Sequence, residues 1–456
     1  MKARILTAVG LAAALAVAGC SSSGSNSGSS SSPTGSTTTA PSTAPSAAPS
    51  TGGSSGGGDA SASGTLTVWL MTDAQQGWPK EVQAATDAFN KKFPNVKVDV
   101  QYQTWGDHLT KLDAALAATP PDVVELGNTE TTKYMASGAL ADLTNDKSKF
   151  DTSDSWLKGL ADSVTYQGKT YGVPYYAGAR GVIYRTDMFQ AVGVTAPPTT
   201  LDELKSDGDK LKAKYGSNPN FSALYWPGKN WYGAMSFVYG YGGNIATGDG
   251  GKWTANLESS EAQAGLTELK SLVGDLSKAP KDGDESKQDS VMAQGNVAMI
   301  YGNGWEVGSV TAPKDKGGDP ALTDKIAAFP LPGKDASKPL PSFLGGSDLV
   351  IPAASEHVAW AEEWINDFTG KDGMTALVND AKVIPNTTSL LSLLGDSPFA
   401  KAAQESWFVP TAPNWADVES QNVLQTMLAN IMTGKQSIAD ATKAADQQIN
   451  TILNKS

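Results

Sequence analysis

The chain has 456 residues, with 35 Lys and Arg against 47 Asp and Glu, a formal net charge of −12. That balance speaks against nucleic acid, anionic lipid head groups and polyanionic ligands, and suits neutral or cationic ones. A single cysteine, Cys20, excludes an internal disulfide and any cysteine cluster for a metal.

Lys2 and Arg4 precede an apolar run from Ile5 to Val17, and the stretch ends Val17-Ala18-Gly19-Cys20. A charged head before a short apolar core is the pattern of a secretory signal. The core falls short of the about 20 apolar residues a membrane helix needs. Small residues directly before a cysteine at this point resemble a bacterial lipoprotein lipobox. The resemblance implies that Cys20 is diacylated, becomes the mature N-terminus and anchors the protein at the outer face of the cytoplasmic membrane. An ordinary signal peptide with a coincidental cysteine is the alternative. Residues 21–63 are almost entirely Ser, Gly, Thr, Ala and Pro with no aromatic residue. Such a segment cannot bury enough apolar surface to offset its ordering entropy. As a flexible linker it reaches roughly 35–40 Å. Gly52-Gly53-Ser54-Ser55-Gly56 fits the hydrolase pattern G-x-S-x-G, but that motif needs a strand before it and a helix after it, and this composition supplies neither.

The body from Gly64 to Ser456 exceeds one comfortable core and points to two domains. Leu66, Val68 and Leu70 alternate with Thr65, Thr67 and Trp69 as in a strand. Val82, Ala85, Phe89 and Phe93 recur at helical spacing up to Pro94. Val96, Val98 and Val100 alternate again, a helical stretch from Leu109 to Ala118 stops at Pro120-Pro121, and Val123-Val124 begin a third strand. This order predicts an α/β lobe on a mostly parallel sheet, with ligands beyond the carboxyl ends of its strands. The loops after Leu70 and Leu126, candidates for ligand contact, carry Asp73 and Trp78, then Gly127-Asn128-Thr129-Glu130. Val164 to Tyr171 predicts a hairpin turning at Gly168. Four strips rich in aromatics and glycine follow: 171–184, 225–232, 299–306 and 343–350. The last helix is expected over about 423–453.

Several segments carry a resemblance over essentially the whole body. They are Thr67-Val68-Trp69, Pro121-Asp122-Val123-Val124-Glu125, the Tyr-Gly-Val-Pro-Tyr-Tyr run from Tyr171, and Asn303-Gly304-Trp305 behind Val297-Ala298-Met299-Ile300. Phe329-Pro330-Leu331-Pro332-Gly333 and Gly345-Gly346-Ser347 ahead of the Trp360–Phe368 helix complete the series. With the lipobox, these make the chain similar to an extracellular solute-binding lipoprotein of a bacterial ATP-driven sugar importer, of the maltose-binding-protein type. The stretch 125–130 and the Ser/Thr-rich linker resemble actinobacterial members, including binders of chitobiose-like amino sugars. The resemblance implies two α/β lobes joined by hinge strands, a sugar in the cleft between them, a membrane permease as partner, a monomeric state and no enzymatic activity. It divides the body into lobe one at 64–177 and 326–378, and lobe two at 178–325 and 379–456.

A sugar site needs aromatic platforms for C–H faces and polar groups for hydroxyls, because each buried unsatisfied group costs about 1–3 kcal/mol. The candidate platforms are Trp78, Tyr176, Trp231, Trp305 and Trp415. The candidate hydrogen-bonding groups are Asp73, Glu125, Asn128, Arg180, Ser347 and Asp348, with the Gly346 amide as a backbone donor. Trp69, Trp360 and Trp364 read as core, and Trp105 fits either core or cleft edge. Asp348 could instead pair with a buried cation, and Glu125 could serve a hinge or a cap. His108 and His357 read as solvated surface residues in helical contexts, and Asp282-Gly283-Asp284-Glu285 as a solvated loop. No motif points to a metal or a cofactor. A secreted glycoside hydrolase and a wall-associated adhesin are the other functional classes considered. The first would need two carboxylates about 5–10 Å apart, and the strand order lacks the eightfold repeat of a β/α barrel.

Overall fold

The computed structural model describes residues 60–249 and 251–455. The expected signal with Cys20, and the linker as far as residue 59, lie outside the described residues. Among those described, no helix is long and apolar enough to cross a membrane.

Among the described residues two larger sheets carry the fold, beside three two-stranded pairs. The larger has six strands in the order Ile384–Pro385, Gly172–Gly178, Gly345–Val350, Val123–Gly127, Ser63–Met71, Asn95–Gln103. Ser63–Met71 runs parallel to both its neighbours, in full register from Ser63 opposite Asn95 to Met71 opposite Gln103. Leu66, Val68 and Leu70, every second residue, are wholly buried. Helix Pro79–Lys92 starts with Pro at its first turn and lays Val82, Ala85 and Phe89 on the same core before stopping ahead of Pro94. The other half of the sheet departs from the mostly parallel expectation. Gly345–Val350 is antiparallel to both Val123–Gly127 and Gly172–Gly178, because it returns from the second lobe in the opposite direction. The predicted hairpin forms at Thr165–Tyr166 and Lys169–Thr170. Gln167 (φ 50°) and Gly168 (φ 77°) supply the two left-handed residues of a tight hairpin turn.

The smaller sheet has Arg180–Arg185 between Met299–Asn303 and Ile326–Phe329, antiparallel to both. Helices Leu201–Tyr215, Trp231–Gly240, Ser260–Leu276, Val423–Thr433 and Ile438–Leu453 enclose it. Each sheet has its own apolar core. One includes Leu66, Phe89, Tyr175, Trp364 and Phe368, the other Trp226, Trp231, Phe237, Trp407, Trp415 and Ile449.

The division expected at 326 and 379 differs from this pairing. Ile326–Phe329 belongs to the smaller sheet, and Ser342–Phe343 pairs with Ser406–Trp407. The return to the first lobe therefore falls at Leu344. Ile384–Pro385 still edges the larger sheet and Leu390 still packs in its core, so the final passage lies between Leu390 and Ser406. The first boundary follows a proline-rich loop at 330–341 and the second falls among short elements, and composition does not show which sheet a short strand joins.

Candidate functional site

Ser63–Met71, Asn95–Gln103 and Val123–Gly127 end at one edge of the larger sheet, and their following segments meet there. Glu125, 1% exposed, turns one carboxylate oxygen to the Met71 amide at 2.7 Å, while its other oxygen has no hydrogen-bond partner. Burial pushes its pKa up to about 7, and the charge of nearby Asp73 adds to the rise. The Ser347 hydroxyl, also buried without a hydrogen-bond partner, is close enough to Glu125 to favour the carboxylate. Tyr176 is half-buried, and its hydroxyl is held in the neutral form by burial and by the fields of Glu125 and Asp73. Asp73, Glu125, Tyr176 and Ser347 thus form one polar patch.

The next loop is braced from within. Glu130 Oε2 accepts from the Gly127 amide and lies 2.9 Å from His108 Nε2. His108 is 4% exposed, not solvated as its helical context suggested, because its ring fills the space behind this loop. Trp105 stands at the edge and donates its indole N–H to Asp73 at 2.5 Å.

On the second lobe, Arg180 places its guanidinium 4.0 Å from the centre of the Tyr232 ring and 3.9 Å from Glu285. Its Nε is buried without a partner. Burial first, then the fields of Glu419, Glu285 and Glu130, keep the Tyr232 hydroxyl neutral, against the pull of Arg180. Glu419 is raised to about 7 by burial, with Glu130 of the other lobe adding to it. Glu130 of the first lobe thus lies within electrostatic reach of Tyr232 and Glu419 of the second. Trp305, 66% exposed, follows the strand Met299–Asn303. Beneath it Glu306 accepts from the Asn303 amide at 2.7 Å and from Gln288 at 2.8 Å, and burial pushes Glu306 up to about 7. A Cβ at Gly302 would lie 2.5 Å from that carboxylate, so only glycine leaves room for the lock.

Of the sequence candidates, the structure brings together Asp73, Glu125, Tyr176 and Ser347 on the first lobe, and places Arg180 against Tyr232 and Glu285 and leaves Trp305 exposed on the second. It assigns the others different work. Trp78 is buried and donates its indole N–H to the Tyr175 hydroxyl in the first core. Asn128 is 3% exposed, with its side chain donating to the Leu344 carbonyl. Trp231 is buried among Tyr232, Trp407 and Trp415, and it is the next residue, Tyr232, that faces Arg180. Trp415, 1% exposed, acts indirectly by donating to Glu419 at 2.5 Å. Asp348 is wholly buried and pairs with the hydroxyls of Thr131 and Ser163 rather than with a cation or the cleft. At Gly346 a Cβ would lie 2.0 Å from the Tyr176 carbonyl. Close strand contact requires that glycine, and its carbonyl accepts from Asn128.

Tyr232, Glu285 and Glu419 escaped sequence reasoning, and Glu130 entered it only as part of the loop after Leu126. Glu285 was hidden in a polar loop, although Asp282 and Asp284 beside it are indeed exposed. Glu419 lies on a short helix whose only signal was the adjacent tryptophan. No group of three or more His, Cys, Asp or Glu suited to a metal occurs among the described residues.

Comparison with known proteins accords with this geometry. Residues 84–405 match the family model for bacterial extracellular solute-binding proteins. The diacetylchitobiose-binding protein DasA of Streptomyces coelicolor is 34% identical over 408 residues, covering 87% of this chain and 91% of its own. Among solved structures, the sugar-binding protein MalE of Xanthomonas citri superposes with a TM-score of 0.72 at 21% identity, over 86% of this chain and 97% of its own. The GacH receptor of Streptomyces glaucescens gives 0.69 at 21% identity, over 86% and 99%. The two α/β lobes and the polar, aromatic cleft thus have the frame these relatives share, and the chain belongs to the bacterial extracellular solute-binding protein family.

Proposed function

We propose that the protein captures an oligosaccharide of the amino-sugar class outside the cell, in the interlobe cleft, and delivers it to the permease of an ATP-driven importer. The observation that carries this reading is Trp305. A tryptophan left 66% exposed on a turn locked from below is a preformed face for the apolar side of a sugar ring. The other candidates offer Glu125 and Ser347 oxygens and an Arg180 Nε that have no hydrogen-bond partner. A ligand rich in hydroxyls supplies the missing partners. The acidic surroundings suit a neutral or cationic sugar, and the ligand named for the Streptomyces coelicolor relative supports two linked amino-sugar units. Hinge closure of the lobes over the sugar presents the loaded form to the permease. A monomer tethered through Cys20 to the outer face of the membrane completes the reading.

The test is a thermal-shift screen of the full-length protein against diacetylchitobiose, chitobiose, maltose, cellobiose, xylobiose, trehalose and their monosaccharides. A ligand that binds only the native state raises the melting temperature. A rise with the amino sugars and not with the glucose disaccharides is expected. No rise with any saccharide overturns the assignment.

A further inference from the structure

Trp105 combines exposure with restraint. Its ring is 41% open to solvent, and with Trp305 it is one of only two exposed tryptophans among the twelve, all of which lie within the described residues. Its indole N–H is held by Asp73 at 2.5 Å, and the ring of His108 meets it edge-on, with centroids 5.2 Å apart at 83°. His108 Nδ1 lies 3.0 Å from the Trp105 carbonyl and Nε2 lies 2.9 Å from Glu130. Both partners are acceptors, whereas a neutral imidazole has one N–H. Both bonds therefore form only in the imidazolium. Burial lowers the His108 pKa, but the hydrogen bond and charge of Glu130 outweigh it and leave the pKa above the usual histidine value. Asp107, Glu125 and Glu130 are the charged groups that face this ring.

The loop beneath completes the brace. A Cβ at Gly127 would lie 3.0 Å from Glu130 and 3.5 Å from the Trp105 ring. Glu130 is also the first-lobe group felt by Tyr232 and Glu419 across the cleft. An exposed ring gains no core stability from such bracing. A stacking surface does gain, because the ligand meets a face already ordered.

We propose that Trp105 is the stacking surface of the first lobe for the bound ligand, and that His108 and Glu130 are positioning residues that hold its indole at the cleft edge. The proposal rests on the saccharide reading above and adds to it a second platform opposite Trp305.

The test is calorimetric titration of the full-length protein and three variants with diacetylchitobiose: Trp105→Ala, His108→Phe and the double substitution. Phenylalanine keeps a ring at position 108 and removes both N–H groups. Trp105→Ala is expected to weaken binding about tenfold. His108→Phe should weaken it about threefold, and the double variant should bind no more weakly than Trp105→Ala, since the histidine acts through the tryptophan. In 5-fluorotryptophan-labelled protein, the resonance lost in Trp105→Phe should shift with pH as His108 loses its proton, and stay constant in His108→Phe. Binding by Trp105→Ala within twofold of wild type overturns the platform. An equal effect of His108→Phe in both backgrounds, or a flat wild-type fluorine titration, overturns the positioning role. A wild-type protein that binds no saccharide overturns the ligand class, and that outcome differs from each of these.

Discussion

Replacing Asp348 with asparagine separates a buried structural carboxyl from a ligand contact. The carboxyl is wholly buried between Thr131, which donates to it at 2.7 Å, and Ser163, at 2.9 Å. Ser163 Oγ also lies 2.7 Å from the Leu160 carbonyl, and its one hydrogen cannot serve both acceptors. A protonated Asp348 resolves the conflict by donating to Ser163, which then donates to Leu160. Burial raises the Asp348 pKa from 3.8 to about 7. The folded chain thus holds this proton more tightly than the unfolded one. The stability it contributes is fully present below pH 3.8 and is lost as the pH rises through about 7. At 1.36 kcal/mol per pH unit, the loss is roughly 4 kcal/mol. Asparagine reproduces the protonated geometry at every pH. Asp348→Asn should therefore match wild type at pH 4, exceed it at pH 8 by a few kcal/mol in urea unfolding, and leave saccharide affinity unchanged. If the variant were instead less stable than wild type at pH 8, with an undiminished pH slope, the account of a neutral buried carboxyl would be refuted.

Three further outcomes follow from the same geometry. Trp305→Ala should weaken saccharide binding by roughly 1–2 kcal/mol with the melting temperature preserved, because the ring is mostly solvent-exposed. Unchanged affinity in a calorimetric titration would remove it from the cleft. Glu125→Gln keeps an acceptor for the Met71 amide but offers a donor where the unpartnered oxygen stood. Affinity should fall about tenfold while the circular dichroism melt stays in place, and equal affinity would show that this oxygen meets no ligand. Gly346→Ala forces a methyl group to within 2.0 Å of the Tyr176 carbonyl. The strand must then shift, and a melting temperature close to wild type would contradict the packing described.

Alternation and helical spacing made the first lobe legible, since Leu66, Val68, Leu70 and the Val82–Phe89 face repeat at the periods their elements impose. The antiparallel half of the sheet was not legible. Gly345–Val350 carries no local mark of direction, which is set by where the chain returns from the other lobe. In the site, the candidates on strand ends, Glu125 and Ser347, fall beside each other in one polar patch. Residues near chemically suggestive neighbours were placed poorly. Tyr232 meets Arg180 and Glu419 stays partly exposed while the more conspicuous Trp231 and Trp415 are buried beside them, because a shift of one position, or of one helical turn, turns a side chain to another face. Asp348 and Ser347 show the same in a strand. Adjacent polar residues project to opposite faces, Asp348 toward Thr131 and Ser163 and Ser347 toward Glu125.

The two chain segments that leave and re-enter the larger sheet are tied together by one hydroxyl. Ser342 Oγ accepts from the Arg180 amide at 2.9 Å and donates to the Arg180 carbonyl at 3.2 Å. Two strands stitched in this way flex as a ribbon, not as independent threads. A twist that strains one strand strains the other. Any change in the angle between the lobes must therefore bend both strands together at the level of Ser342 and Arg180.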